Sequence, residues 1–262
     1  MPELALSARG VQMEYRDRQT GHSLLAIESV DLDVADGEFV SLLGPSGCGK
    51  STFLKIVNGL LRSTGGEIRL RSAGKAREDA MVFQDAALFP WYSVVDNVAY
   101  GLVCSGVPRK EARRRALPYV ELVGLKGFEH KYPYQLSGGM QQRANLARAL
   151  AVDSEILLMD EPFAALDAQT RESMQAELLR IWNAAKKTVL FVTHQIDEAI
   201  YLSDRVVVMA ARPGRIIADI EIELPRPREL SVKQTPQFTR YEAQIWSLLG
   251  TRSKVPSLER GA

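Results

Sequence analysis

A glycine-rich stretch near the start of the chain has the residue types that hold a polyphosphate. Residues 44–51 match the pattern G-x-x-x-x-G-K-[ST] between a strand pattern and a helix pattern, a context that disfavours a chance glycine-rich turn. The glycines let backbone N–H groups turn inward, and the helix N-terminus adds positive potential. Lys50 is then predicted to reach the β- and γ-phosphates, and Ser51 to ligate Mg²⁺. The predicted phosphate-binding residues are Gly44, Pro45, Ser46, Gly47, Cys48, Gly49, Lys50, Ser51 and Thr52.

Two acidic residues end a second apolar run, at 156–159. Ligands of open α/β sheets bind at the carboxyl ends of the strands, which is where these carboxylates are expected to lie. Asp160 is predicted to be a Mg²⁺ partner, and Glu161 the base that orients and polarises an attacking water. The alternative is a strand end that is merely capped by solvated acids.

A histidine follows a third apolar run, at 188–193. A lone histidine is more often structural than functional. His194 differs because it comes directly after a strand that is expected to neighbour the acidic one. We therefore predict that His194 contacts the γ-phosphate. The other two histidines, His22 and His130, have no comparable setting.

The elements that must position these residues alternate between strands and helices. Apolar runs at 38–43, 156–159, 188–193 and 205–209 are typical of buried parallel strands. Helical periodicity covers 139–151 and 170–185, so the sequence predicts an α/β fold. Residues 85–135 are richer in aromatic residues and helical charge patterns, which indicates an inserted helical subdomain. After a main domain over 1–225, residues 226–262 form a short tail with a helix at about 238–249.

Composition narrows the function classes. The 33 Lys and Arg residues nearly balance the 32 Asp and Glu residues, which excludes an electrostatic grip on nucleic acid or anionic lipid as the main driver of binding. The two cysteines, Cys48 and Cys104, suit a reducing cytosol better than a disulfide framework. No run approaches the ~18 apolar residues that span a bilayer, and the first residues do not resemble a signal peptide. We expect a cytoplasmic location.

The segment 136–143, Leu-Ser-Gly-Gly-Met-Gln-Gln-Arg, is the most specific motif, and with it the sequence resembles the ATP-binding-cassette ATPases. Ser137 at a helix start, followed by Gly138 and Gly139, leaves backbone donors free to meet an anion. The resemblance implies binding of ATP and Mg²⁺ by two cassettes docked head to tail. Each signature helix then closes over the nucleotide that the other subunit holds.

The remaining motifs of that family follow in order along the chain. Tyr15 resembles the aromatic residue that stacks on adenine, Gln84 the glutamine that senses Mg²⁺ and the attacking water, and His194 the switch histidine. Residues 165–167 resemble the segment that crosses the dimer interface. The resemblance thus implies nucleotide contacts by Tyr15, Ser137, Gly138, Gly139, Gln141 and Asp167, metal contacts by Ser51, Gln84 and Asp160, and catalytic roles for Lys50, Gln84, Glu161 and His194. It also implies an ABC-type P-loop NTPase core with an antiparallel β subdomain. Met140 and Ala164 depart from the commoner residues at their positions.

Residues 88–98 and the tail are similar to the nitrate, sulfonate and taurine importer group. This similarity implies an ATPase subunit that works as a homodimer under transmembrane permease subunits, peripherally on the cytoplasmic face of the cell membrane. An extracytoplasmic solute-binding protein would act indirectly, and no nucleic acid is expected. The aromatic residues Phe89, Trp91 and Tyr92 either pack the helical subdomain or form a groove for a permease helix. The alternatives are a cassette that drives another membrane or soluble machine, as in DNA repair or translation, and a nucleotide-gated module without turnover.

Overall fold

A single mixed sheet organises the chain. The computed structural model describes residues 3–16, 21–71, 79–152 and 154–250, so the last twelve residues of the predicted tail lie outside the described part. The strands of the described residues are β1 (Leu4–Arg16), β2 (Ser23–Ala35), β3 (Phe39–Leu43), β4 (Gly65–Leu70), β5 (Asp79–Val82), β6 (Ile156–Asp160), β7 (Thr188–Thr193), β8 (Arg205–Ala210) and β9 (Gly214–Glu221). Their order in the sheet is β4-β1-β2-β9-β8-β3-β7-β6-β5.

Five neighbouring strands, β8, β3, β7, β6 and β5, run parallel. Every residue of β3, β6 and β7 is buried, which explains why these strands are continuous apolar runs without alternation. The predicted strands at 38–43, 156–159, 188–193 and 205–209 are confirmed to within one residue at each end.

The remaining strands of the sheet pair mainly in antiparallel fashion. β1 pairs antiparallel with β2 and β4, and β9 pairs antiparallel with β8. β2 joins β9 in a short parallel contact, so the antiparallel part continues the same sheet. The predicted α/β fold with an antiparallel β portion is confirmed.

Seven α-helices flank the sheet in the described ranges. They are α1 (Lys50–Val57), α2 (Val94–Cys104), α3 (Arg109–Leu122), α4 (Gly138–Ala151), α5 (Ala168–Ala185), α6 (Ile196–Leu202) and α7 (Pro236–Gly250). The helices predicted at 139–151, 170–185 and 238–249 correspond to α4, α5 and α7. None of these helices has the length and apolarity needed to cross a membrane.

The helical unit is built from α2, α3 and one face of α4. Its apolar cluster contains Val98 and Val120 together with Ala144 and Ala147 of α4. The opposite face of α4, which carries Leu146, packs into a second apolar cluster that contains Phe39 and Phe191 of the sheet. This second cluster is called the cluster under the sheet. α4 therefore belongs to both apolar clusters and joins the helical unit to the sheet.

The tail is fixed to the main body by a buried arginine. The Arg228 guanidinium donates to five backbone carbonyls, those of Ile200, Tyr201, Ser203, Ile222 and Leu224, at 2.7–3.4 Å. Burial lowers the pKa of Arg228 to about 10. Phe238 and Ile245 of α7 are buried in the cluster under the sheet. The tail up to residue 250 is thus an integral layer beside α6.

Candidate functional site

The predicted functional residues follow four neighbouring parallel strands. In the order of the sheet, β3 leads into the glycine-rich loop, β7 into His194, β6 into Glu161 and β5 toward Gln84. Because these strands are parallel, their carboxyl ends lie at one edge, and the segments that leave them converge there.

A cavity of about 480 Å³ opens at this edge. Its volume lies in the range of small-molecule sites. It is lined by Ser46, Gly47, Cys48, Gly49, Lys50, Ser51, Thr52, Gln84, Glu161, Ala164 and His194. The structure thus brings together most of the predicted phosphate loop and all of the predicted catalytic residues. Ala164 was noted in the sequence only as a departure from the family pattern.

The loop has the backbone of an anion cradle. Gly47 and Gly49 have φ of 77° and 92°, a backbone region that residues other than glycine rarely adopt. Gly49 is the N-cap of α1 and provides no side-chain acceptor, so the first N–H groups of the helix, in residues that line the cavity, have no side-chain cap. Lys50 is 5% exposed, and its ammonium donates to the carbonyls of Gly44 at 2.7 Å and Pro45 at 3.1 Å.

Gly44 is required by close packing against β8. A Cβ at this position would lie 2.5 Å from the carbonyl oxygen of Met209 and 2.9 Å from Sγ of Cys48. We expect Gly44→Ala to lower the free energy of unfolding by about 1–3 kcal/mol, because the loop must move off β8. Urea denaturation measures this loss. Gly250→Ala is the matched control, since a Cβ there meets open space. Equal midpoints for the two variants would contradict the packing argument.

A hydroxyl and a carboxylate meet below the loop. Oγ of Ser51 donates to Oδ1 of Asp160 at 2.7 Å, and Asp160 is buried at the end of β6. Burial raises the pKa of Asp160, and the hydrogen bond from Ser51 opposes that shift. Ser51 and Gln84 line the cavity, and Gln84 can add an amide oxygen to the hydroxyl and the carboxylate. An all-oxygen set suits Mg²⁺, which keeps few protein ligands and takes the rest from phosphates and water. The residues present therefore fit the predicted metal.

Glu161 and His194 face each other across the cavity wall. Oε2 of Glu161 lies 2.9 Å from Nδ1 of His194. Glu161 has φ of 45°, a left-handed backbone conformation that is strained for residues other than glycine. Its N–H donates to the carbonyl of Val192 on β7 at 3.0 Å, which stabilises the strained turn. Backbone strain of this kind is concentrated at functional sites.

The predicted signature residues do not line this cavity. Ser137 is the N-cap of α4 and accepts from the Met140 N–H at 3.3 Å. The amide of Gln141 donates to the carbonyls of Pro133 and Leu136, so its side chain braces the segment before the helix. The residues of the predicted nucleotide set that lie outside the cavity lining are Tyr15, Gly44, Pro45, Ser137, Gly138, Gly139, Gln141 and Asp167.

Two of these outlying residues have clear local settings. Tyr15 is 41% exposed near the free end of the hairpin formed by β1 and β2. Asp167 is the N-cap of α5 and accepts from the Thr170 N–H at 3.0 Å. Its hydrogen bonds with Thr170 hold the pKa of Asp167 below its ordinary value. Asp167 therefore fixes the start of α5 within its own chain.

Sequence reasoning missed two buried amides that support Gln84. Asn145 and Gln142 of α4 both donate to the carbonyl of Phe83, at 3.1 and 3.4 Å. Both residues are almost fully buried. Polar residues on the apolar side of a helical pattern were the available signal, since a buried amide needs a partner.

Comparisons with known proteins agree with this geometry. A family model described as ABC transporter matches residues 27–164. An uncharacterized ABC transporter ATP-binding protein of Methanocaldococcus jannaschii is 50% identical over 232 residues, 87% of this chain and 86% of that protein. A taurine import ATP-binding protein of Rhizobium johnstonii is 45% identical over 237 residues, 87% of this chain and 90% of that protein. A dimeric ATP-binding cassette solved in a post-hydrolysis state with ADP and Pi matches with a TM-score of 0.74 at 31% identity, over 84% of this chain and 100% of that chain.

The matched residues contain both the glycine-rich loop and the Asp160–Glu161 strand end. The strand order, the cavity and the relatives lead to the same family. This chain belongs to the ABC transporter family and is an ATP-hydrolysing ATP-binding cassette.

Proposed function

We propose that this cassette drives uptake of a small anionic solute of the nitrate, sulfonate or taurine type. The observation that carries the importer assignment is the similarity to a taurine import ATP-binding protein over 87% of the chain. The cassette would lie on the cytoplasmic face of the cell membrane, bound to permease subunits. An extracytoplasmic solute-binding protein would deliver the solute to them.

In the proposed mechanism the loop binds the ATP phosphates through its backbone N–H groups, and Lys50 moves from its two carbonyl partners to the β- and γ-phosphates. Ser51, Asp160 and Gln84 would hold Mg²⁺, which would supply positive charge that neutralises the phosphates. Tyr15 stacks on the adenine.

Glu161 takes the proton of the attacking water, and its carboxylate is oriented by the contact with His194. His194 is half-exposed on the cavity side, so its ring is open to the γ-phosphate. Positioning of the water and stabilisation of the developing charge account for most of the rate in phosphoryl transfer. The full set of base, histidine and lysine favours turnover over a nucleotide-gated module.

A second copy of the chain completes the site. Ser137, Gly138 and Gly139 lie at the exposed N-terminus of α4, away from the cavity of their own chain. A helix N-terminus with free N–H groups binds an anion, and the γ-phosphate held by a second cassette supplies it. The dimeric form of the similar solved cassette supports this arrangement.

A groove of about 310 Å³ between the sheet and the helical unit is the proposed permease site. It is lined by Ala80, Met81, Phe83, Ala87, Phe89, Tyr100, Gly101, Arg148, Ala149 and Val152. The rings of Phe89 and Tyr100 are 4.5 Å apart, and Arg148 lies over Phe89. Phe89 packs against Tyr100 and also lines the groove, which supports the groove interpretation for this residue, whereas Trp91 and Tyr92 do not line it. We propose that a short permease helix docks at this groove.

Removal of an aromatic side chain from the groove is expected to weaken the binding of the cassette to its membrane partner. Tyr100→Ala should reduce the yield of permease on a tag attached to this chain by about tenfold or more, because aromatic anchors dominate interfaces. ATP binding by the isolated chain should not change. Phe128→Ala, which removes another exposed ring of the helical unit, is the matched control. Full permease recovery with Tyr100→Ala would show that the permease contact does not lie in this groove.

The alternative is a cassette that drives another membrane or soluble machine. Purification from detergent-solubilised membranes through a tag on this chain separates the two. Recovery of a multi-span permease, and stimulation of ATP hydrolysis by a solute-loaded binding protein, are the results that the proposal expects. Recovery with soluble partners alone would overturn it. Competition among nitrate, taurine and alkanesulfonates in uptake assays then identifies the solute.

A further inference from the structure

A buried acid lies next to the cavity but outside its lining. Glu198 is on the first turn of α6, four residues after His194, and is 3% exposed. No step of the proposed mechanism uses it. A carboxyl group this buried requires partners, and burial raises the pKa of Glu198.

The partners of Glu198 connect it to the backbone on both sides of His194. Oγ1 of Thr193 donates to the Glu198 carboxylate at 2.6 Å. The same hydroxyl accepts from the N–H of Gln195 at 3.0 Å. Glu198 thus fixes, through one hydroxyl, the residues that precede and follow the histidine.

Gln175 of α5 closes the other side of the carboxylate. Its Nε2 donates to Glu198 at 3.1 Å, and its Oε1 accepts from the Lys233 ammonium of the tail at 3.2 Å. Lys233 also donates to Asp197 on α6 at 3.2 Å. The tail therefore contacts this polar cluster through Lys233.

Arg171 of α5 connects the cluster to the segment that follows Glu161. Its guanidinium donates to the carbonyls of Leu166 at 2.8 Å and Phe163 at 3.4 Å. It also donates to the side-chain oxygen of Gln195 at 3.3 Å. The closest approach of Arg171 to Glu198 is 3.9 Å, so its hydrogen bonds go to the two loops and not to the carboxylate.

This bridging matters because little else holds the histidine. The side chain of His194 is 48% exposed, so packing does not fix its ring. Its orientation depends on the Glu161 contact and on the backbone at residues 193–195. Glu161 in turn sits in a strained turn that needs support from its neighbours.

We propose that Arg171 and Glu198 are positioning residues that hold the Glu161 and His194 loops in one fixed relation, so that the pair meets the attacking water in register. This inference rests on the roles proposed above for Glu161 and His194. Misplacement of a catalytic group by about 1 Å costs on the order of 100-fold in rate. Loss of the bridge should therefore lower kcat and leave nucleotide binding intact.

Steady-state ATP hydrolysis by the full chain in its membrane complex tests the proposal. Arg171→Ala and Thr193→Val should each lower kcat by roughly 10- to 100-fold, with the KM for ATP within about twofold of the unmodified chain. Thr193→Ser keeps the bridging hydroxyl and should restore most of the rate. Arg180→Ala, an exposed arginine on the same helix paired with Glu177, should change neither parameter.

A double-mutant cycle separates positioning from general stability. In the His194→Ala background, Thr193→Val should cost less than about threefold, because the histidine beside its hydroxyl is gone. The loss caused by Arg171→Ala should shrink in that background to the part that acts through the Glu161 loop. An undiminished loss in that background, or a rise in KM with kcat unchanged, would overturn the proposal. If Arg171→Ala does not fold, the Thr193→Val and Thr193→Ser pair decides. An unimpaired rate for His194→Ala alone would instead refute the proposed role of the histidine.

Discussion

Glu161→Gln is expected to reduce ATP hydrolysis by ~10²–10⁴-fold while ATP still binds. The substituted amide would keep the size and the hydrogen-bonding reach of the side chain but could not accept the proton of the attacking water. The phosphate loop, Ser51 and Asp160 are unchanged by the substitution, so nucleotide affinity should stay within a few-fold. The effect should therefore fall on kcat.

Rapid-quench hydrolysis and fluorescent-nucleotide binding on the same preparation measure both quantities. Glu177→Gln is the control, because Glu177 lies on α5 and pairs with an exposed arginine. A rate within threefold of the unmodified chain for Glu161→Gln would remove Glu161 from the role of base. A parallel loss of ATP affinity would show that the carboxylate acts in binding.

Lys50→Ala is expected to weaken ATP binding by roughly 100-fold and to abolish hydrolysis at ordinary ATP concentrations. A hydrogen bond to a charged group contributes about 1.5–3 kcal/mol, and the ammonium is expected to make more than one such contact with the phosphates. Lys50 is nearly fully buried and lines the cavity, so its ammonium is held next to the proposed phosphate position.

The loss of affinity should depend on whether the ligand carries phosphates. This dependence distinguishes a role of Lys50 in phosphate binding from a role in maintaining the loop. Affinity for ATP should fall far more than affinity for adenosine. Lys126→Ala removes an exposed lysine of the helical unit and should leave both affinities unchanged. Equal losses for ATP and adenosine would mean that Lys50 supports the loop through the Gly44 and Pro45 carbonyls and does not bind phosphate.

The sequence predicted the central strands and the residues that follow them because both signals are local. A fully buried strand is a continuous apolar run, and the residue after it must lie at the carboxyl edge. Asp160, Glu161 and His194 were located by this rule, and the structure brings Glu161 and His194 within 2.9 Å. The phosphate loop is equally local, since its glycines and Lys50 are contiguous.

The remaining features depend on contacts that are distant in the sequence. Arg171 and Gln195 are hydrogen-bonded although they are 24 residues apart, and Asn145 supports Phe83 across 62 residues. Helical periodicity can mark Asn145 as a polar residue on an apolar face, but no periodicity identifies the partner in either pair. The double role of α4 was missed for a similar reason, because its two apolar faces pack against clusters from different parts of the chain.

The central claim is that each cavity is completed by the signature helix of a second copy. The test measures how much ATP is retained by tagged dimers of two differently substituted chains, both carrying Glu161→Gln. In one arrangement Lys50→Ala is on one chain and Ser137→Arg on the other, and in the second arrangement both substitutions are on the same chain. If the signature acts across the dimer, defects on different chains fall in one site, and the other site retains one ATP per dimer. Defects on the same chain then damage both sites, and no ATP is retained. Retention by the same-chain arrangement, with none when the defects are on different chains, would contradict the account.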